Sequence, residues 1–271
     1  MRKLLYADET YRIRGAIFDV YNQLGPSHKE ATYEDALKIA FHKRGVTFRD
    51  QVPFDVVYED VKVGTYRPDL LAYEKIILEL KALETLLPIH EAQVLSYLRV
   101  TALELALLVN FSAMNVQIER RILTQAASRR NEPPERNKPY AGGLEQFPYP
   151  ELVWGIGNCI KRVHFILGPG FLFHIYENAL EVEMGLQDVG CQRVKYLDIM
   201  FDGQQVGRER VHLLVVEEKV LVVPVAINRI ESLDLKITRK QMNALGLQLG
   251  LVVNFHDVVP RTRSVRVMPQ T

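Results

Sequence analysis

The sequence predicts an α/β protein built as two tandem domains, each a mixed β-sheet flanked by helices. Residues 25–37 recur without a gap at residues 168–180, with Gly25, Pro26, Tyr33, Glu34, Ala36 and Leu37 matched by Gly168, Pro169, Tyr176, Glu177, Ala179 and Leu180. Further on, Leu107-Leu108-Val109-Asn110-Phe111 is echoed by Leu251-Val252-Val253-Asn254-Phe255. In both halves the apolar period runs in one order: helical spacing first, then alternation, then a helix, then a returning strand.

In the first copy, Tyr11 to Tyr21 places apolar residues at helical spacing, and the helix should stop near Leu24-Gly25-Pro26. Glu30 to Arg44 puts Tyr33, Ala36, Leu37, Ala40 and Phe41 on one face and ends at Gly45. Val46 to Val63 alternates around β-branched and aromatic residues, with Glu59-Asp60 as its turn. Two buried strands follow, Tyr66 to Tyr73 and Lys75 to Leu80, joined tightly at Glu74-Lys75. Pro88 to Val100 reads as a helix, Leu105 to Phe111 as an apolar strand and Val116 to Leu123 as a last alternating strand. The second copy repeats the order, with helices over Leu152–Leu167 and Phe171–Met184 and strands over Val194–Phe201, Arg210–Val216 and Lys219–Ile227. A helix over Leu233–Leu247 and a strand over Leu249–Phe255 complete it.

Residues 126–150, with Pro133-Pro134, Pro139 and Gly142-Gly143, have the composition of a linker. The expected division is therefore a domain over 1–125, a linker over 126–150 and a second domain over 151–271. With 48% hydrophobic and 25% charged residues the composition is that of a globular chain, which excludes disordered and fibrous classes. No apolar run approaches the ~20 residues that span a bilayer. The first nine residues reach Asp8 and Glu9 before any segment of signal-peptide length, so a cytoplasmic location is the expectation. Charge is balanced in each half, 20 basic against 20 acidic side chains in 1–150 and 14 against 13 in 151–271. That balance does not favour a dedicated nucleic-acid binder, but leaves room for a local basic groove. Cys159 and Cys191 lack any metal-binding spacing and read as two buried thiols.

The chemistry sits in the first copy. Asp69 follows Pro68 near a strand start, and Glu79 and Lys81 flank Leu80 on the next strand. Alternation points Glu79 and Lys81 to one side of the sheet, and a tight hairpin can bring Asp69 beside them. Two carboxylates facing one cation suit a hard divalent ion such as Mg²⁺ or Mn²⁺, which takes oxygen ligands and keeps several waters. Lys81 would hold or polarise an attacking water and offset charge on a phosphate. Glu30, at the start of the second helix, is a further candidate carboxylate. The triplet alone is weakly specific; its plain alternative is an ion pair on an exposed sheet face. Its context, Ile76-Ile77-Leu78 before and Ala82-Leu83 after, is apolar, where ions are costly unless paired or metal-bound. An ungapped alignment of the copies places Phe173 at Glu30, His212 at Asp69, and valines or a proline at Glu79 and Lys81. The site is retained once and lost once.

The motifs Ser27-x-x-Glu30-x-x-Tyr33, Val63-Gly64-x-Tyr66-Arg67-x-Asp69-Leu70-Leu71, Ile77-Leu78-Glu79-Leu80-Lys81-Ala82, Gln93-x-Leu95-Ser96-Tyr97-Leu98 and Leu108-Val109-Asn110-Phe111 resemble, in order, the signatures of the GxxExxY proteins of the PD-(D/E)xK nuclease superfamily. The resemblance covers most of residues 10–123. It departs at Ser27, where the name-giving glycine would stand; the second copy has that glycine, Gly170, without the glutamate. The resemblance implies two tandem restriction-endonuclease-like domains, the second degenerate. It implies Asp69, Glu79 and Leu80 as the metal-holding positions, Lys81 as the catalytic lysine and Glu30 as the helical acid. Gln93 and Tyr97, four apart on one helix face, are similar to the Gln-xxx-Tyr pair of exonuclease-like members.

Other residues carry blander readings. His90 reads as a solvated helix-start histidine, Tyr33 and Tyr176 as core, and Arg208, Arg210, His212 and Lys219 as a solvated strand edge. The leading expectation is a Mg²⁺- or Mn²⁺-dependent nuclease acting on nucleic acid, DNA above RNA, with one site in the first domain. The alternative is an idle scaffold or nucleic-acid-binding subunit of a larger DNA-processing or defence assembly. No membrane partner is expected, and a homo-oligomer or larger assembly is left open.

Overall fold

The computed structural model describes residues 4–111, 114–123 and 132–267. The chain divides into two compact units, one of residues 1–55 and 65–130, the other of residues 56–64 and 131–271. In chain order the first copy contains α1 (Ala7–Leu24), α2 (Glu30–Arg44), β1 (Phe48–Asp50), β2 (Phe54–Tyr58), β3 (Val61–Tyr66), β4 (Leu70–Ala72), β5 (Ile76–Lys81), α3 (Pro88–Thr101), β6 (Leu105–Asn110) and β7 (Gln117–Ile122). The second contains α4 (Pro150–Leu167), α5 (Phe173–Leu186), β8 (Cys191–Phe201), β9 (Gln204–Val216), β10 (Val220–Val225), α6 (Ser232–Ala244), β11 (Leu249–Asn254) and β12 (Arg261–Arg266). The sheets share one order, β1-β4-β5-β6-β7 and β8-β9-β10-β11-β12. In each, one central pair is parallel, β5 with β6 and β10 with β11, and the remaining pairs are antiparallel. The parallel pairs follow from the α3 and α6 crossovers, since parallel neighbours cannot be joined by a hairpin.

In the first unit the apolar faces of α1 (Ile13, Ala16, Ile17, Val20) and α2 (Tyr33, Leu37, Phe41) close on one face of the sheet, made by Leu70, Ala72, Ile76, Leu78, Leu80, Leu105, Leu107 and Val109. Alternation then leaves Leu71, Ile77, Glu79, Lys81 and Leu108 on the opposite face, the side on which α3 packs against β6. Glycines end the helices. Gly25 at φ 68° and Gly45 at φ 64° adopt backbone conformations that a side chain would strain.

Two polar devices recur. The Tyr33 hydroxyl donates to the Gly25 carbonyl (2.9 Å) and accepts from the His28 amide (3.1 Å), closing the α1–α2 turn, while its ring stacks on Phe111 at 4.4 Å. Tyr176 does the same with Gly168 (2.8 Å), Phe171 (3.2 Å) and Phe255 (4.4 Å). Asn110 brackets the chain leaving β5 through the Leu83 amide and carbonyl, and Asn254 brackets Ile227 in the same way. The tyrosines are core, as the sequence suggests, and each also ties a loop.

The strands differ from expectation in several places. The single strand expected over Tyr66–Tyr73 is two, because Pro68 has no amide hydrogen to give a ladder and restrains Arg67 before it. The β4–β5 turn is Tyr73-Glu74, both at positive φ (53° and 58°), one residue earlier than expected. β9 begins at Gln204 rather than Arg210, and β12 was not anticipated in its arginine-rich sequence. Of the expected linker, residues 126–131 lie outside the described residues. Residues 132–149 are held in the second unit, with the Trp154 indole donating to the Lys138 carbonyl at 2.9 Å.

The second unit also holds the β2–β3 turn. Tyr58 is fully buried and donates to the buried Glu183 at 2.7 Å. Arg136 and Gln187 also donate to that carboxylate. Burial would raise the Glu183 pKa; Arg136, Tyr58 and Gln187 outweigh it and hold the carboxyl below its ordinary range.

Tyr33→Phe and Tyr176→Phe keep the ring stacks but leave a loop amide and carbonyl without their partner. Each substitution is expected to cost about 1–2 kcal/mol in denaturant unfolding. No loss in either variant would show that the hydroxyl bonds do not hold the loops.

Candidate active site

The site forms at the ends of β4 and β5 on the first sheet. The Tyr73-Glu74 turn pairs Leu70 with Leu78, Leu71 with Ile77 and Ala72 with Ile76, so the next residues outward, Asp69 and Glu79, face one another. The Asp69 carboxylate accepts the Leu80 amide at 2.7 Å. Glu79 is buried; one oxygen accepts from Lys81 Nζ at 2.9 Å and the other from the Tyr66 hydroxyl at 3.2 Å. Tyr66 stacks on Tyr97 with 3.8 Å between ring centroids. Glu30, first residue of α2, accepts the Ala82 amide at 3.2 Å just past the end of β5.

The electrostatics follow from crowding acids in a half-buried place. Burial and the Glu79 charge push the Asp69 carboxyl up to about 7, against the Leu80 amide and Lys81, which pull it down. Burial would lower the Lys81 pKa; the Glu79 carboxylate beside it outweighs that effect and holds it above its ordinary value. Burial and the Glu79 charge also push the Tyr66 hydroxyl well above its usual range, so it remains a proton donor.

Asp69, Glu79, Lys81 and Tyr97 with Tyr66 are thus brought together, and Glu30 lies at the rim. Gln93 is half-buried one helical turn before Tyr97 on α3. Leu80 contributes only backbone, since its side chain is in the core against α1 and α2. Among the described residues no three His, Cys, Asp or Glu side chains are grouped to hold a metal by themselves. The side chains that could hold a metal are therefore the two carboxylates of Asp69 and Glu79. Oxygen donors of this kind, with one acid that needs a positive charge to ionise readily, fit Mg²⁺ or Mn²⁺.

Sequence reasoning gave no role to two participants. Tyr66 lay inside a quoted motif, and its bond to Glu79 follows from the hairpin fold. Glu34 raises the Asp69 pKa through its charge; its place four residues after Glu30, on the same face of α2, was the available signal. Ser27 has φ 80°, a backbone conformation that glycine adopts more readily than a residue with a side chain.

The second copy shows what replaces the site. Its β9–β10 turn, Glu217-Glu218, again has two positive φ values, and Val216 pairs with Val220 as Ala72 pairs with Ile76. Val194 pairs with Leu213 and Tyr196 with Arg210, so Val211 and His212 together face Lys195 in a β-bulge. That extra residue corrects the ungapped alignment. Leu213, not His212, stands at the place of Asp69, and Val223 and Val225 stand at Glu79 and Lys81. These three side chains join the apolar cluster beneath α6.

The remaining candidates are occupied elsewhere. His90 stands in the first turn of α3, as expected, half-exposed, and accepts the Leu87 amide at 3.0 Å to cap the helix. Arg208 lies over Tyr196 and near Asp198, Lys219 lies over Tyr149, and His212 contacts Glu177; Arg208, Arg210 and Lys219 are exposed, the solvated strand edge expected from the sequence. Burial pushes the Cys159 thiol up to about 12 and the Cys191 thiol to about 11, which keeps both protonated and unreactive at neutral pH.

An Asp69 pKa near 7, against 3.8 in the absence of its surroundings, destabilises the metal-free fold wherever the group must ionise. The penalty is absent below about pH 4, grows between pH 4 and 7, and is full above pH 7. Asp69→Asn is therefore expected to stabilise the metal-free protein by up to about 4 kcal/mol at pH 8, the bound set by the full shift, and by little at pH 4. Urea unfolding at both pH values checks this, and a pH-independent difference would contradict it.

Both halves match the model of the PD-(D/E)XK nuclease superfamily, over residues 7–121 and 151–267. No curated protein and no solved structure matches the chain. One family model that fits twice, on two sheets of identical order, identifies a tandem duplication, and the chain belongs to the PD-(D/E)XK nuclease superfamily.

Proposed function

We propose that the chain is a Mg²⁺- or Mn²⁺-dependent nuclease of the GxxExxY type that hydrolyses phosphodiester bonds of DNA from a single site on the first repeat. One contrast carries this reading. Asp69, Glu79 and Lys81 converge on paired strand ends in one copy, while the same places in the other are Leu213, Val223 and Val225.

Asp69 and Glu79 would hold the metal, which when bound polarises a phosphoryl oxygen and acidifies water. The Leu80 amide fixes the Asp69 carboxylate, and the Tyr66 hydroxyl, braced by Tyr97, fixes Glu79. Lys81, charged at neutral pH, offsets the negative charge that gathers on the phosphate as water adds and the leaving oxygen departs. Glu30 anchors the chain after β5, and Gln93 with Tyr97 would border the acids from the α3 side. Because protons compete with metal for Asp69, the metal concentration needed for half-maximal activity should rise as pH falls below about 7.

Supercoiled, linear and single-stranded DNA, and RNA, incubated with Mg²⁺ or Mn²⁺, test the reading. The full chain is expected to cut, and Asp69→Ala and Lys81→Ala each to lower the rate by at least about 100-fold. A single site acting alone predicts nicked circles before linear product. Folded protein that cuts none of these substrates would instead favour a catalytically idle scaffold.

A further inference from the structure

The β2–β3 turn shows how a hairpin of this protein docks. Within the second unit, Val56 and Tyr58 are fully buried, Tyr58 is bonded to Glu183, and Glu59 meets Arg136 at 2.8 Å and Arg162 at 3.1 Å. Asn178 on α5 donates to the Val63 carbonyl at 2.7 Å. Gly64 lies flat on Ile175, where a Cβ would come within 2.5 Å of the isoleucine side chain.

The second repeat carries the same hairpin at its β8–β9 turn. Ile199, Phe201, Val206 and Gly207 stand at the places of Val56, Tyr58, Val63 and Gly64. The turns match too: Glu59-Asp60 has φ 46° and 63°, Asp202-Gly203 47° and 75°. Burial is what differs. Ile199 is 47% exposed, Phe201 68% and Val206 63%. An aromatic and two branched side chains at a hairpin tip are costly in water, and the equivalent set is covered in the first repeat.

We propose that the 199–207 hairpin docks on a second copy of this chain, against the α1–α2 face that is the first repeat's counterpart of α4–α5. Thr32 and Asp35 stand there at the places of Ile175 and Asn178 and are exposed. Ile39 on α2 and Phe18 on α1 add exposed apolar surface. Asp202 takes the place of Glu59; on the receiving face Asp19, at the position of Arg162, is already paired with the Arg44 guanidinium and Asp35 stands at Asn178, so the contact rests on covering Ile199, Phe201 and Val206 rather than on a charge pair. A nucleic-acid partner is disfavoured, because Lys195, Arg208 and Arg210 along the β8–β9 hairpin are balanced by Asp198, Asp202 and Glu209, and Arg193 is held by Glu181 on α5.

Sedimentation velocity of the full chain between about 1 and 100 µM tests this, a range that detects micromolar association. Wild-type protein is expected to self-associate with rising concentration. Phe201→Glu on the hairpin and, independently, Ile39→Arg on the receiving face should each weaken association at least about tenfold. Both sites are exposed, so melting temperatures should not change; if one variant fails to fold, the other decides. A monomer throughout the range, or association insensitive to the folded variants, would overturn the proposal.

Discussion

A two-residue turn fixes where the acids of the first repeat must stand. With Tyr73 and Glu74 both at positive φ, β4 and β5 have one register, and that register sets Asp69 across from Glu79 on a half-buried sheet face. Like charges so placed repel, and the surroundings are organised around that cost. The Leu80 amide serves one carboxylate, Lys81 and Tyr66 serve the other, and Asp69 still needs further positive charge to ionise easily. A pair of acids whose repulsion a cation would relieve supports the proposal of a metal-dependent site.

The duplication separates what holds the fold from the acids proposed to perform the chemistry. Tyr33 and Tyr176, their stacked Phe111 and Phe255, and Asn110 and Asn254 have the same partners in both units, since each loop needs them whether or not a site is present. The acids were not retained. Leu213, Val223 and Val225 stand where the first repeat has a costly polar cluster and pack in the apolar cluster with Met242 of α6, which favours stability. The bulge at Val211–His212 lies beside that change, where the first repeat instead has the break at Pro68.

Much of this was legible in the sequence because strong local signals agreed. Glu30–Arg44 was readable to the residue from its apolar face and Gly45, and the Glu79-Leu80-Lys81 alternation placed two charges on one side of β5. The Asp69 register was foreseeable only as far as a tight hairpin was. What escaped depended on tertiary context. An arginine-rich edge strand such as β12 has no apolar period to reveal it, and a one-residue bulge leaves no mark on an ungapped alignment. Tyr66 as a partner for Glu79 required the fold itself.

Binding of Mn²⁺ to the full chain, followed by calorimetry without nucleic acid, tests the central claim most directly. The account predicts saturable binding that Asp69→Asn and Glu79→Gln each remove and that weakens as pH falls below about 7, where Asp69 takes up its proton. No binding by the folded wild-type chain, or binding that survives both substitutions, would contradict it.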